Sequence, residues 1–198
     1  MSFKDEEEIT EEIVRDVTEG VGSTGVRAGI IGEVGISNIF AQPNEGKSFR
    51  ASAVAQKEAG APLSIHLPFV KGHCERVIEI LEEEGADLKR TIMCHAEFYL
   101  DDSMDYTFML ADAGLYIQYD TWGFEWEAPG NGIVYPSDRQ RANGIKKLID
   151  HGNLEQVLLS QDVCMKVQSS AFGGNGRAHM LRDCPPLFAD AGISEVEI

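Results

Sequence analysis

Five short apolar runs recur along this chain of 198 residues, and a helical pattern separates each from the next. The strand candidates are Val26–Ile31, Leu63–Ile65, Thr91–Cys94, Leu115–Tyr119 and Gln156–Leu159. Between them the spacing of apolar positions predicts helices over Lys47–Ala59, Gly72–Glu84, Met104–Ala113 and Ser137–His151. A last helical stretch, Gly176–Ala189, has to break or restart at Pro185-Pro186, because proline has no N–H to donate and its ring clashes with the preceding turn. In "KEAGAP", "EEEGAD", "ADAGLY" and "DHGN" a glycine stands where a helix must stop. Short strands alternating with helices of this length build βα units around a parallel sheet. From Ile30 to Ser64, Met93, Ile117 and Leu158 the steps are 34, 29, 24 and 41 residues, a repeat of architecture without a repeat of sequence. The expected fold class is α/β.

The tips of those strands carry the chemistry. The first run ends in Glu33 ("IIGEVG"), the second in His66 ("PLSIHLP"), the third in His95 ("TIMCHAE") and the fifth in Asp162 ("VLLSQDV"). The fourth, "LYIQYD", has only Asp120 just at its end. In a parallel barrel, functional side chains gather where the βα loops leave the C-terminal ends of the strands. Glutamate, neutral histidine and aspartate are the ligands expected for a zinc-like divalent ion in a hydrolase. One histidine at a strand end is usually a hydrogen-bonded rim residue; four metal-competent residues at four tips point to metal.

Composition limits the alternatives. With 43% hydrophobic residues the chain is long enough for one well-buried domain over residues 1–198. Its formal charge of −16 argues against nucleic acid and anionic membranes as partners. Residues 1–20 hold eight acids and two bases, so −6 of that charge is local. There "KDEEEITEEIVRDVTEG" keeps Ile9, Ile13, Val14 and Val17 on one face of an amphipathic helix. No apolar run approaches the ~20 residues of a membrane span. The cysteines at 74, 94, 164 and 184 form no C-x-x-C pair, and no secretory leader precedes them. They read as reduced thiols in a cytoplasmic protein.

The segments "GEVG", "SIHLP", "CHAE", "DAGLYIQYDTWG", "RQRANGIKKLIDHG", "VLLSQDVCMK" and "GGNGRAHMLRDCPPLFADAGIS" resemble the phosphotriesterase family of the amidohydrolase superfamily, in family order and spacing from about residue 26 onward. The Gly-Glu-x-Gly turn and the two histidines also resemble TatD-like deoxyribonucleases, but the segments after family strands seven and eight fit the phosphotriesterase group better, and the negative charge is unhelpful for binding DNA. The resemblance implies a partial TIM-type (β/α)8 barrel of about five parallel βα units, matching family strands four to eight. A full barrel takes ~250 residues, and the H-x-H pair of the family's first strand has no counterpart among His66, His73, His95, His151 and His179. The chain therefore reads as an internal portion, incomplete at both ends.

What the resemblance implies for chemistry follows residue by residue. Glu33 would be the ligand bridging two metals, with His66 and His95 completing the more exposed site. Asp162 would bind the more buried metal and manage the proton of a bridging hydroxide. The cofactor would be a divalent metal such as zinc, two ions in an intact member and one here, acting on an ester, lactone, amide or phosphotriester bond. The alternative is a catalytically silent barrel fragment. The expected partners are a small-molecule substrate and a homodimer mate or complementing barrel half.

Other residues carry two readings each. Glu97 either orients His95 or is a solvated loop acid. Cys94, one residue before His95 on a strand, is expected to face away from it and pack. His73 and His151 fit helix ends, and His179 fits packing or the rim of the site. Tyr119, Trp122, Phe124 and Trp126 either line a substrate pocket or, for the loop aromatics, form an exposed patch.

Overall fold

A computed structural model of the chain describes residues 4–36, 43–68, 70–101, 103–128 and 133–198. The chain folds into two compact units: residues 1–94 with 113–116, and residues 95–112 with 117–198. Five parallel strands alternate with helices across the two.

The first unit opens with helix α1 (Glu6–Thr18), whose start is fixed by a capping box. The Asp5 carboxylate accepts from the Glu8 amide, and Glu8 accepts from the Asp5 amide. Strand β1 (Ile31–Gly35), helix α2 (Pro43–Ala59), strand β2 (Leu63–His66), helix α3 (His73–Glu84) and strand β3 (Thr91–Cys94) follow. β1 pairs in parallel with β2, and β2 with β3. Phe49, Leu63, Ile65, Val77, Leu81 and Met93 are buried and make the core of this unit.

The first strand does not lie where the apolar run suggested. Residues 26–30 fold back on the end of α1: the Val21 amide bonds to the Val26 carbonyl, and the Ala28 amide to the Asp16 carbonyl. Val26 and Ile30 are exposed. Pairing begins only at Ile31, so Glu33 lies inside β1 rather than beyond its tip.

The second unit contains helix α4 (Asp105–Asp112) and strand β4 (Tyr116–Tyr119) from Ile117 on. A short antiparallel pair follows, β5 (Glu127–Ala128) with β6 (Ile133–Val134), which the sequence did not suggest. Then come helix α5 (Asp138–His151), strand β7 (Val157–Leu159), helix α6 (His179–Asp183) and helix α7 (Pro185–Asp190). β4 and β7 pair in parallel. The predicted break at Pro185-Pro186 is the boundary between α6 and α7, with a proline opening α7. The expected helix stops are present: Gly60, Gly85, Gly114 and Gly152 all have positive φ, 70°, 74°, 107° and 103°. Among the described residues no helix is long and apolar enough to cross a membrane.

Candidate metal-ligand residues and the buried ion network behind them

Glu33 reaches His66 through a flaw in strand pairing. Ile31 pairs with Leu63 and Val34 with Ile65, so three steps on β1 match two on β2. The extra residue makes a bulge, which turns a side chain out of the regular alternation. Gly32 sits in the bulge with φ 132°, and a Cβ there would stand 2.4 Å from the Ser64 carbonyl oxygen. Only glycine allows that approach. The result brings Glu33 Oε1 to 3.1 Å from His66 Nδ1, with both side chains partly exposed. Two ligands of one zinc-like ion, each ~2.0–2.2 Å from it, stand roughly 3.0–3.5 Å apart. The 3.1 Å contact is a hydrogen bond, and it also falls in the range that two ligands of one ion share.

His95 follows the last residue of β3 and leaves the strand at once, with φ 57° and ψ 26°. Its ring is buried and held from behind: Nδ1 lies 2.5 Å from Asp120 Oδ1, and the His95 amide donates to Asp120 Oδ2 at 3.1 Å. Gln118 Nε2 also donates to Oδ2, at 2.7 Å. A carboxylate on Nδ1 fixes the proton there and makes Nε2 the acceptor nitrogen of the ring, the tautomer a metal requires. Glu33 and His66 offer a carboxylate and an imidazole within the first unit, and His95 is an imidazole of the second; all three are residue types suited to a zinc-like ion.

Cys94 does not face away from the histidines as its place before His95 suggested. It pairs in register with His66, and its sulfur lies 3.0 Å from Ser64 Oγ. His95 is no longer in the strand, so the alternation of strand faces does not extend to it. Cys94 is buried, in keeping with a packing role.

Glu97 is fully buried and acts one step removed from His95. It accepts from the Asp120 amide at 3.1 Å, the Thr121 amide at 2.7 Å and the Thr121 hydroxyl at 2.5 Å. It therefore holds the backbone that carries Asp120. Burial and the neighbouring Asp120 charge push its carboxyl up, against the pull of Thr121 and Arg141. Arg141, also fully buried, places Nε 3.4 Å from Glu97 Oε1. The same guanidinium donates to Asp138 at 2.8 Å, the Thr121 hydroxyl at 2.6 Å and the Phe124 carbonyl at 2.9 Å. Asp138 in turn meets His179 Nε2 at 2.6 Å, and His179 Nδ1 meets Asp183 at 2.7 Å.

Asp138, His179 and Cys184 are all buried and close enough to offer one donor each to an ion. Their chemistry points elsewhere. Asp138 already accepts from Arg141, His179 and the Gly123 amide, and both His179 nitrogens face carboxylates. Burial and the nearby Asp138 push the Cys184 thiol up to about 12, so it stays neutral. The cluster is a closed internal ion network.

The remaining predicted residues are spread out. Asp162 lies in the loop after β7, exposed, with φ 38°. Tyr119 and Trp122 are buried in the second unit, and Trp122 packs on Phe188 with ring centroids 5.1 Å apart. Trp126 is half-exposed and packs beside Phe124 and Tyr135. His73 begins α3 and His151 ends α5. Sequence reasoning noted Asp120 but not its grip on His95, and it missed Arg141 and Asp138, which look like ordinary charges of an exposed helix face.

The family model described as phosphotriesterase family matches residues 2–198. The chain is 36% identical over 194 residues to a phosphotriesterase-related protein of Nematostella vectensis, covering 97% of this chain and 55% of that one. It is 30% identical over 191 residues to an N-acetyltaurine hydrolase of Homo sapiens, covering 96% and 54%. Among solved structures it resembles a resiniferatoxin-binding protein from Rhodobacter sphaeroides, with TM-score 0.93, 36% identity and coverage of 99% and 54%. It also resembles a phosphotriesterase homology protein from Escherichia coli complexed with phosphate in its active site, with TM-score 0.84, 30% identity and coverage of 99% and 64%. The chain spans about half the length of the curated relatives it matches.

Proposed function

The chain belongs to the phosphotriesterase family of hydrolases, and from that premise we propose that it carries the metal-binding half of a hydrolase acting on an ester, lactone, amide or phosphotriester bond. The observation that carries the reading is the 3.1 Å approach of Glu33 Oε1 to His66 Nδ1, produced by a bulge whose glycine no other residue could replace. Glu33, His66 and His95 would hold one divalent ion, zinc in the first instance. Such an ion would supply hydroxide near neutral pH and polarise a carbonyl or phosphoryl oxygen. The chain's own residues do the rest. Asp120 holds the His95 proton on Nδ1, and Glu97 fixes the backbone of Asp120. Asp162, in the loop after β7, would take and return a proton as the scissile bond breaks. Its role as a metal ligand belongs with the histidine pair that this sequence does not contain.

An amide is the first substrate class to test. Relatives of this chain named N-acetyltaurine hydrolase occur at 35% identity in Dictyostelium discoideum and 30% in Homo sapiens. The partner proposed is accordingly a small molecule, and four free thiols suit a reducing, cytoplasmic setting.

Zinc loading of the purified chain, followed by gel filtration and elemental analysis, tests the reading. About one equivalent is expected to stay bound. His66→Ala should abolish it, and His151→Ala, at the end of α5, should leave it intact. Equal losses from the two substitutions would defeat the assignment. The loaded chain is then assayed on N-acetyltaurine, a lactone and a phosphotriester, with turnover expected on the amide first.

A further inference from the structure

We propose that the loop region after β7 holds a binding pocket for an oxyanion, and that it receives the sulfonate, phosphate or carboxylate end of a small-molecule substrate. The second role rests on the hydrolase reading above; the binding of the anion does not.

The pocket is a cavity of about 530 Å³ within the second unit. Lys166, Arg177 and Arg182 line it together with Ser169, Ser170 and Asn175, and no carboxylate does. In a chain of net charge −16 this is an unusual concentration of positive field. Arg182 is already committed, since it donates to Asp183 at 2.5 Å. Lys166 and Arg177 are not: among the described residues neither has a carboxylate within ion-pair distance. Each is nevertheless held in place. Lys166 Nζ stands 4.4 Å from the centre of the Phe172 ring, and Arg177 Nη2 donates to the Val163 carbonyl at 3.4 Å. An ammonium and a guanidinium beside two hydroxyls make a receptor for an oxyanion, with the planar guanidinium able to bind two oxygens at once.

Position supplies the link to catalysis. A second cavity of about 540 Å³ is lined by Asp162 and shares Val163 and Arg177 with the first. Arg177 therefore stands in the wall between an anion pocket and the aspartate proposed to handle the proton. A substrate anchored by its charged end in the first cavity extends its uncharged end toward the second.

The test uses the full chain stripped of metal by chelator, so that an ion at Glu33, His66 and His95 plays no part. Sodium sulfate, sodium methanesulfonate and sodium acetate are titrated separately by calorimetry and by amide chemical-shift perturbation. Saturable binding is expected, with shifts concentrated in residues 163–182 and affinity falling as inert chloride salt is raised. Lys166→Ala and Arg177→Ala should each weaken binding about tenfold, the usual size for loss of a charge-assisted hydrogen bond. Arg139→Ala, which removes a remote exposed charge, should change nothing. Shifts located elsewhere, absence of saturation, or equal losses in all three variants would overturn the pocket. With metal restored, Lys166→Ala should raise KM for N-acetyltaurine with kcat little changed; loss of kcat alone would overturn the substrate role. Zinc loading that fails while sulfate still binds would sink the hydrolase reading and leave this pocket standing.

Discussion

His95 shows how much a single residue can do when its backbone departs from the strand that delivers it. A histidine with φ 57° is uncommon, and the left-handed turn takes its ring out of the strand's alternation and into the grasp of Asp120. That pairing was not legible in the sequence. That His66 and His95 stand at the ends of their strands and Asp162 shortly after another could be read from the sequence, because strand length and apolar content are local properties; Glu33 instead lies inside β1. Which carboxylate serves which imidazole depends on register and on one dihedral angle, and neither is local. Asp120→Asn preserves shape and removes the charge that holds the Nδ1 proton. Zinc affinity of the variant, measured by competition with a chromophoric chelator, is expected to fall roughly 10–100-fold, the usual cost of losing such an outer partner. An unchanged affinity would show that Asp120 only packs.

Among the elements, strands and helices were largely legible because apolar period and glycine stops specify them together. Strands β2, β3, β4 and β7 and helices α2 to α5 lie within a few residues of their sequence reading. The exception, Val26–Ile30, reads as a strand, but its Ala28 amide is claimed by Asp16 of α1 and its Val26 carbonyl by the Val21 amide just beyond that helix. The β5–β6 pair was missed because two-residue strands have no readable period. Helix α5 offers a direct probe of packing. Its Gly144 faces Leu100 and Tyr119, and an added Cβ would lie 2.3 Å from Leu100 Cδ2 and 3.0 Å from the Tyr119 ring. Gly144→Ala gains helix propensity but overfills this contact, and the second effect is the larger. Urea denaturation is expected to show a net loss of about 1–3 kcal/mol. A stabilised variant would mean that Leu100 moves aside freely.

For the whole molecule, stability should carry the signature of His179. Burial alone would lower the affinity of this imidazole for its proton, but hydrogen bonds to Asp138 and Asp183 outweigh burial and raise it. A raised value means that the folded chain holds the proton more tightly than the unfolded one. The stabilisation is therefore complete below the ordinary histidine value of ~6.5 and is lost as pH rises through the folded one. Thermal melts of the wild type and of His179→Asn should differ most near pH 5.5–6 and converge toward pH 9. A gap that widens on the alkaline side would contradict the pairing. The charge of −16 adds a background that grows with pH in both proteins and cancels in the comparison.

The closed set of Glu97, Arg141, Asp138 and His179 also constrains how this sequence can change over generations. Removing one member of a buried ion network leaves the others charged and unanswered, at a cost of about 3–5 kcal/mol, whereas exchanging a whole network for apolar residues is often neutral. Arg141 touches the other side of so many of these contacts that it has no single-step replacement. Substitution at these positions must then come as a concerted set, so descendants of this chain either keep all four or have lost them together.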